Sequence, residues 1–328
     1  MQATQGLAAD NKSTGAGIGP VFMYLGDMKW NLRNTIALCA GIGIGAISVL
    51  LLAFNAAEEK GDSRPHYKWY IPETPKSMSF AGEQVPLERR DVREQLEREL
   101  LINYYSHINT LHILRMSTRY FPLIEARLRA NGVPDDFKYL CVAESSLINQ
   151  VSRAGAVGFW QFMKDTAPRY GLEVNDEVDE RYHVLKATDA ACRYLKEAKE
   201  KFGSWTAAAA SYNCGQGGFS SHAAFQRTNY YYDLLLPEET MRYIFRIVAL
   251  KYLITSADRA GFILLRQNEY KPLRTKTVTV SATIPDLAQY ALDNGTSYRM
   301  LKLSNPWLRA RALTVKPGKT YEMELPAE

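Results

Sequence analysis

At 328 residues the chain is long enough for one or two domains and their tails. Apolar residues make up 46% and charged residues 23%, an ordinary globular balance with enough material for a sizeable core. The formal charge of +5 is mild, and Lys and Arg alternate with Glu and Asp through 83–99, so no nucleic-acid partner is expected; a weak positive excess suits an anionic polymer.

Thr35 to Phe54 is an uncharged run of 20 residues rich in Ile, Leu, Ala and Gly. That is the length of a helix crossing a bilayer core of roughly 30 Å. Residues 34–54 are therefore read as a transmembrane anchor. Lys29 and Arg33 precede the run and Glu58 and Glu59 follow it. The positive flank places a cytoplasmic tail at 1–33 and everything after the anchor on the exported, periplasmic side of the inner membrane. The tail is long for a signal peptide and no small-x-small site stands out near Ala53–Ala57, so an uncleaved anchor is expected. Cys39 is a poor lipid-attachment site, because Leu38 before it is bulky.

Residues 55–86, with prolines, Gly, Ser and charges and no sustained period, read as a linker. From Leu87 the texture turns helical: Leu96, Leu100, Leu101, Tyr104, Ile108 and Leu111 recur at intervals of three and four. A second helix is expected from near Ser117 to Asn131-Gly132. Pro134-Asp135-Asp136 opens a third, ending at Glu144, since proline and acids suit a first turn. Further helices are predicted at 164–170, 184–202, 204–212 and 238–254, with no alternating strand between 90 and 265. The body at 87–268 is thus expected to be all-α. After Pro272, Thr275–Ser281 and Thr320–Leu325 alternate like strands and flank two short helices, a βααβ extension over 272–328.

Past the anchor lie Cys141, Cys192 and Cys214, enough for at most one disulfide. With no Cys-x-x-Cys and no paired His spacing, neither a metal nor a cofactor is expected.

The chemistry is concentrated around Glu144. Tyr139-Leu-Cys-Val-Ala143 is apolar enough to be a buried helical turn, so a carboxyl at its end is desolvated and its pKa rises towards what a general acid needs. Gly155-Ala-Val-Gly158-Phe-Trp-Gln161 follows, a glycine-punctuated loop whose backbone can approach a ligand closely. Met163 and Thr166 come next, then Ala210-Ser-Tyr212-Asn213-Cys-Gly215 and Glu239-Thr240-Met-Arg-Tyr243.

In this order the four blocks resemble the soluble-lytic-transglycosylase-like (goose-lysozyme-like) family, and within it the membrane-bound lytic murein transglycosylases of the D type. The family pattern is Glu-Ser, Gly-x-x-Gly-x-x-Gln with a following Met and Thr, Ala-x-Tyr-Asn-x-Gly, and Glu-Thr-x-x-Tyr. The resemblance covers roughly residues 95–265. Ser211 and Cys214 stand where small residues such as alanine are common, and Phe159-Trp160 replaces a frequent Leu-Met or Ile-Trp. In the extension, Gly295-x-x-Tyr298-x-x-Leu301-x-x-x-Asn305-Pro306 resembles a degenerate LysM module without its usual Gly-Asp-Thr-Leu segment. Either glycan binding or simple packing suits it.

The resemblance implies a lysozyme-like fold acting on peptidoglycan glycan strands at the MurNAc–GlcNAc β-1,4 bond, leaving 1,6-anhydro-MurNAc ends. Glu144 is the implied acid and base. Ser145, Gly155, Gly158, Gln161, Tyr212, Asn213 and Tyr243 are the implied substrate-binding set, with Tyr243 expected within hydrogen-bond reach of Glu144. A two-carboxylate hydrolase needs a second acid across the scissile bond. Asp165 and Asp176, the nearest in sequence, look like helix-end or loop acids. A goose-type lysozyme-like hydrolase and a non-catalytic, membrane-tethered wall-binding protein are the competing readings.

Overall fold

The computed structural model describes residues 32–58 and 70–327, which fall into two compact units divided between Trp69 and Tyr70. Most of the expected cytoplasmic tail, and the linker residues 59–69, lie outside the described residues.

The first unit contributes one helix, α1 (Leu32–Glu58). Its window Thr35–Leu52 has a mean hydropathy of 2.4 and no buried residue, so it is long and apolar enough to cross a membrane. Length and composition alone suit an anchor and a signal sequence equally.

The second unit opens with a hairpin, β1 (Met78–Phe80) and β2 (Glu83–Val85), paired antiparallel as Met78↔Val85 and Phe80↔Glu83. Ala81 and Gly82 make its turn with φ of 51° and 81°, the left-handed pair a two-residue hairpin requires. This corrects the linker boundary at 86. Phe80 is fully buried, and the Glu83 carboxylate accepts from the backbone N–H of Trp205 at 2.7 Å and of Thr206 at 2.9 Å. The hairpin is therefore part of the helical body, capping a helix start more than a hundred residues away.

Helix α2 (Arg90–Tyr105) gives way to α3 (His107–Ala130) at Ser106, not near Ser117 as the periodicity suggested. Ser106 Oγ returns to Ile102 O at 2.8 Å and Thr110 Oγ1 to Asn103 O at 2.9 Å, so hydroxyls satisfy the orphan carbonyls that end α2. Helix α4 (Phe137–Ser145) is short and apolar; α5 (Val184–Phe202) closes on Gly203 at φ 85°. Helix α6 (Trp205–Gln226) runs on past the expected end at 212 and breaks direction at Gly215, with φ 76° and ψ 149°. The predicted helix at 164–170 contracts to a single 3₁₀ turn, Ala167–Tyr170. Helix α7 (Glu238–Thr255) packs against α2, α4 and α6, and Tyr243, Ile244, Ile247, Val248 and Leu253 are sealed at that junction. Among the described residues, nothing longer than an isolated β-bridge forms between 90 and 265.

The extension has the expected order: β3 (Thr275–Val280), α8 (Leu287–Asp293), α9 (Tyr298–Ser304) and β4 (Tyr321–Pro326), with β3 and β4 antiparallel and Val278 opposite Met323. Leu287, Leu301, Leu308, Leu313 and Met323 form its core, and Val178 of the helical body is built into the same cluster. Asp179 N–H donates to Trp307 O at 2.9 Å and Arg309 N–H to Glu177 O at 2.7 Å. Lys319 pairs with Glu173 at 2.5 Å. The extension is thus bonded to segment 173–179 through main chain, side chain and core.

Candidate active site

Glu144 sits on the last turn of α4, after the buried Tyr139, Leu140, Cys141 and Val142. The helix ends because Ser146 and then Leu147 are left-handed, with φ of 51° and 60°. Each costs about 1–2 kcal/mol for a residue with a side chain. Full burial of Leu147 offsets that strain and holds the chain in a sharp exit just past the acid.

The half-buried Glu144 accepts a short hydrogen bond at Oε1 from the Tyr243 hydroxyl of α7. Its pKa is pushed up to about 7. Burial is the main cause; the Tyr243 bond and the positive charge of Arg246 pull the other way, and the negative charge of Glu239 adds a little. Burial also lifts the Tyr243 hydroxyl well above the usual tyrosine range, so it stays a donor. The expected Glu144–Tyr243 pairing is present.

The loop after Glu144 is fastened from several sides. Gly158 N–H donates to Gln150 O at 2.9 Å, and Val157 bridges both Val151 and Phe162. Trp160 is fully buried, its Nε1 donating to Thr188 Oγ1 of α5 at 2.9 Å. Both glycines are left-handed, with φ of 84° at Gly155 and 87° at Gly158. A Cβ on Gly158 would stand 2.0 Å from the Arg181 carbonyl oxygen, whereas one on Gly155 would meet nothing within 4 Å. Gly158 is therefore required by the neighbouring backbone at 181.

One expected groove contact, Ser145, needs correction, and a second, Tyr212, is partly engaged by protein. Ser145 is 1% exposed, and its hydroxyl donates to Phe159 O at 2.8 Å, with Cys141 O at 3.2 Å. It ties the helix end to the loop from behind the acid. The Tyr212 hydroxyl donates to Trp160 O at 2.7 Å, and its ring packs edge-on against Tyr194 and Phe162 with centroids 5.0 and 6.1 Å away. The residue is half-buried, with these ring edges engaged by protein.

Two amides are better placed. Gln161, left-handed at φ 50°, spends both amide hydrogens on Gly158 O at 2.7 Å and Gln150 O at 3.2 Å, which leaves its side-chain carbonyl as an acceptor. Asn213 accepts from Thr240 Oγ1 at 2.7 Å, which leaves its NH₂ as a donor. That bond accounts for the threonine in Glu239-Thr240. Apolar side chains flank this region: Ile148, Val151 and Met163 are 40%, 59% and 43% exposed. Ile148, with Tyr105, His107, Ile108 and His112, lines a cavity of about 670 Å³.

Asp165 and Asp176 are exposed, and the other carboxylate whose charge reaches Glu144 is Glu239, paired with Arg246 at 2.8 Å. Among the described residues, no group of three or more His, Cys, Asp or Glu side chains could hold a metal ion. Cys141 and Cys192 are buried thiols, Cys192 pushed up to about 12 by burial. Sequence reasoning missed Glu99, Arg242 and Arg246. The signal was available in part, because Glu239, Arg242 and Arg246 recur at helical spacing, but Glu99 joins them only through the packing of α2 on α7.

Comparison with known proteins places this geometry. Residues 121–231 match the Transglycosylase SLT domain, and residues 276–328 match the Soluble lytic transglycosylase C-terminal LysM-like domain. The first match includes Glu144, Gln161 and Asn213 but stops short of Tyr243. The chain is 27% identical over 254 residues to membrane-bound lytic murein transglycosylase D of Escherichia coli strain K12, and equally to that of strain O6:H1. Each alignment covers 75% of this chain and 54% of the relative, so the chain spans about half the length of the curated relatives it matches. Residues 121–231 thus form a Transglycosylase SLT domain around the half-buried glutamate, and residues 276–328 a LysM-like domain bonded behind it.

Proposed function

We propose that the chain is a peptidoglycan lytic transglycosylase that cleaves the MurNAc–GlcNAc β-1,4 bond and leaves 1,6-anhydro-MurNAc ends. The observation that carries this is one desolvated carboxyl, Glu144, titrating at about 7 and aimed by Tyr243, with Glu239, the carboxylate whose charge reaches it, committed to an arginine. A group poised at 7 can give a proton and take one back near neutrality. Protonated Glu144 donates to the glycosidic oxygen while the substrate's N-acetyl group stabilises the charge forming at C1. Ionised Glu144 then takes the proton of the C6 hydroxyl as that oxygen closes on C1. The proton count balances and no water enters.

The Gln161 carbonyl and the Asn213 NH₂ together offer one acceptor and one donor, the complement of an N-acetyl group. The activity belongs on the exported side of the membrane, where such strands lie, with α1 as an uncleaved anchor and a short tether between.

Digestion of purified sacculi with the full chain in detergent tests the reading. Mass spectrometry should find glycan ends lighter by one water than hydrolysed ends. Ends carrying that water would identify a goose-type hydrolase, and undigested sacculi with the chain bound would identify a wall-binding protein.

A further inference from the structure

One face of α7 carries more charge than the proton transfers use. Glu239, Arg242, Tyr243 and Arg246 share a stripe by their three- and four-residue spacing. Arg246 forks onto both oxygens of Glu239, Nη1 at 2.8 Å and Nη2 at 3.3 Å. Its Nε lies 3.7 Å from Oε2 of Glu99, whose other oxygen accepts from Arg242 Nε at 2.6 Å. Glu99, from α2, is 0% exposed and its Oε2 makes no hydrogen bond. A carboxylate sealed away from water costs several kcal/mol unless paired, so the two guanidiniums account for its burial. With a side chain 23% exposed and gripped from two helices, Arg246 has little freedom to swing away.

Arg246 lies one helical turn beyond Tyr243, which holds Glu144. The titratable groups that act on Glu144 or feel its charge are Tyr243, Arg246 and Glu239 of α7, Tyr212 of α6 and Cys141 of α4; Arg246 is the cation among them. We propose that Arg246 is a positioning residue: held by Glu239 and Glu99, it supplies the positive charge against which Glu144 rests in its ionised form between giving up a proton and taking one back. This rests on the reading of Glu144 as the acid and base.

The arrangement meets two opposed needs. Burial alone keeps Glu144 protonated and spoils it as a base. A free arginine would close on the carboxylate and spoil it as an acid. Glu239 and Glu99 occupy the guanidinium, so its charge reaches Glu144 while its hydrogen bonds go elsewhere.

The test reads the Glu144 carboxyl itself, by difference infrared titration of the full chain in detergent against Glu144→Gln. The wild-type midpoint should lie at about 7. Arg246→Met should raise it by about one pH unit or more, the usual effect of losing a nearby opposite charge. Arg246→Lys should hold it in place, and Glu239→Gln should lower it by removing a like charge. A purely structural Arg246 would lower thermal stability without moving the midpoint. An unmoved midpoint in folded Arg246→Met, or an upward shift in Glu239→Gln, overturns the proposal. Should Arg246→Met fail to fold, Glu239→Gln decides alone, because Glu239 is 56% exposed and its substitution is mild; an unmoved midpoint there also overturns the proposal. The infrared midpoint is independent of sacculus digestion, so this inference and the proposed activity fail separately.

Discussion

The Tyr243 hydroxyl donates to Glu144 Oε1 across 99 positions of chain, joining the end of α4 to the first turns of α7. This bond favours the ionised carboxylate, and it also fixes where the proton points. Tyr243→Phe should therefore push the Glu144 midpoint above 7 and carry the high-pH limb of activity upward. The rate at the optimum should fall on the order of 10²-fold, as expected when a catalytic group is misaimed. Muropeptide release measured across pH reads both effects, and an unchanged profile would remove Tyr243 from the mechanism.

Glu144→Gln keeps the shape and the acceptor for Tyr243 but has no proton to give. Activity should drop by at least about 10²–10⁴-fold. Stability should move the other way. The carboxyl ionises near 4.5 when unfolded and near 7 when folded. Below pH 4.5 both states hold the proton; as pH climbs from 4.5 through 7 the unfolded chain releases its proton first, and the wild type loses about 3 kcal/mol in full. Glu144→Gln should match the wild type in acid and melt higher above neutrality. A variant that is less stable at high pH would contradict the desolvated carboxyl.

The two loop glycines should part company. Gly155→Ala should cost about 1 kcal/mol, for the left-handed φ alone. Gly158→Ala adds a collision with the Arg181 carbonyl and should cost more than about 2 kcal/mol. Chemical denaturation of the two proteins compares them, and equal losses would mean that the 158–181 approach can relax.

Gln161→Ala and Asn213→Ala should each raise KM for glycan strands more than they lower kcat, since neither amide touches Glu144 in this fold. Thr240→Val should reproduce part of the Asn213 effect by releasing the amide it orients. Unchanged KM in all three would place the N-acetyl contacts elsewhere.

Protease added to intact spheroplasts should remove the helical body while sparing what precedes α1. A protected body would reverse the topology, and a mature form lacking residues 34–54 would show that the segment is cleaved.

Much of this was legible in the sequence, and the limits have physical causes. Glu144 and Tyr243 were visible because their chemistry needs those residue types in ordered blocks. Helix α5 and the βααβ extension were visible because periodicity and caps agree along them. The break at Ser106 was hidden, because serine and threonine hydroxyls that cap a helix end look like any surface hydroxyl. The hairpin was hidden by strands of three residues, too short to show a period. Ser145 was misplaced for a subtler reason: one residue along a helix is about 100° around it, so a neighbour of the acid readily faces the opposite way. Glu99 finds Arg242 and Arg246 only by tertiary contact, which no local pattern carries.

Arg181 donates to Phe162 O at 3.2 Å and to both oxygens of Asp179, at 2.9 Å from Nε and 2.8 Å from Nη2, while Asp179 N–H reaches Trp307 O. A continuous bonded path therefore runs from the loop beside the acid, through Arg181 and Asp179, into the C-terminal extension. The extension is a buttress for that loop, not a bead on a string. Exchange of residues 272–328 for a different module would leave Val178 and Asp179 without their seat, so a working graft has to carry segment 173–183 along with it.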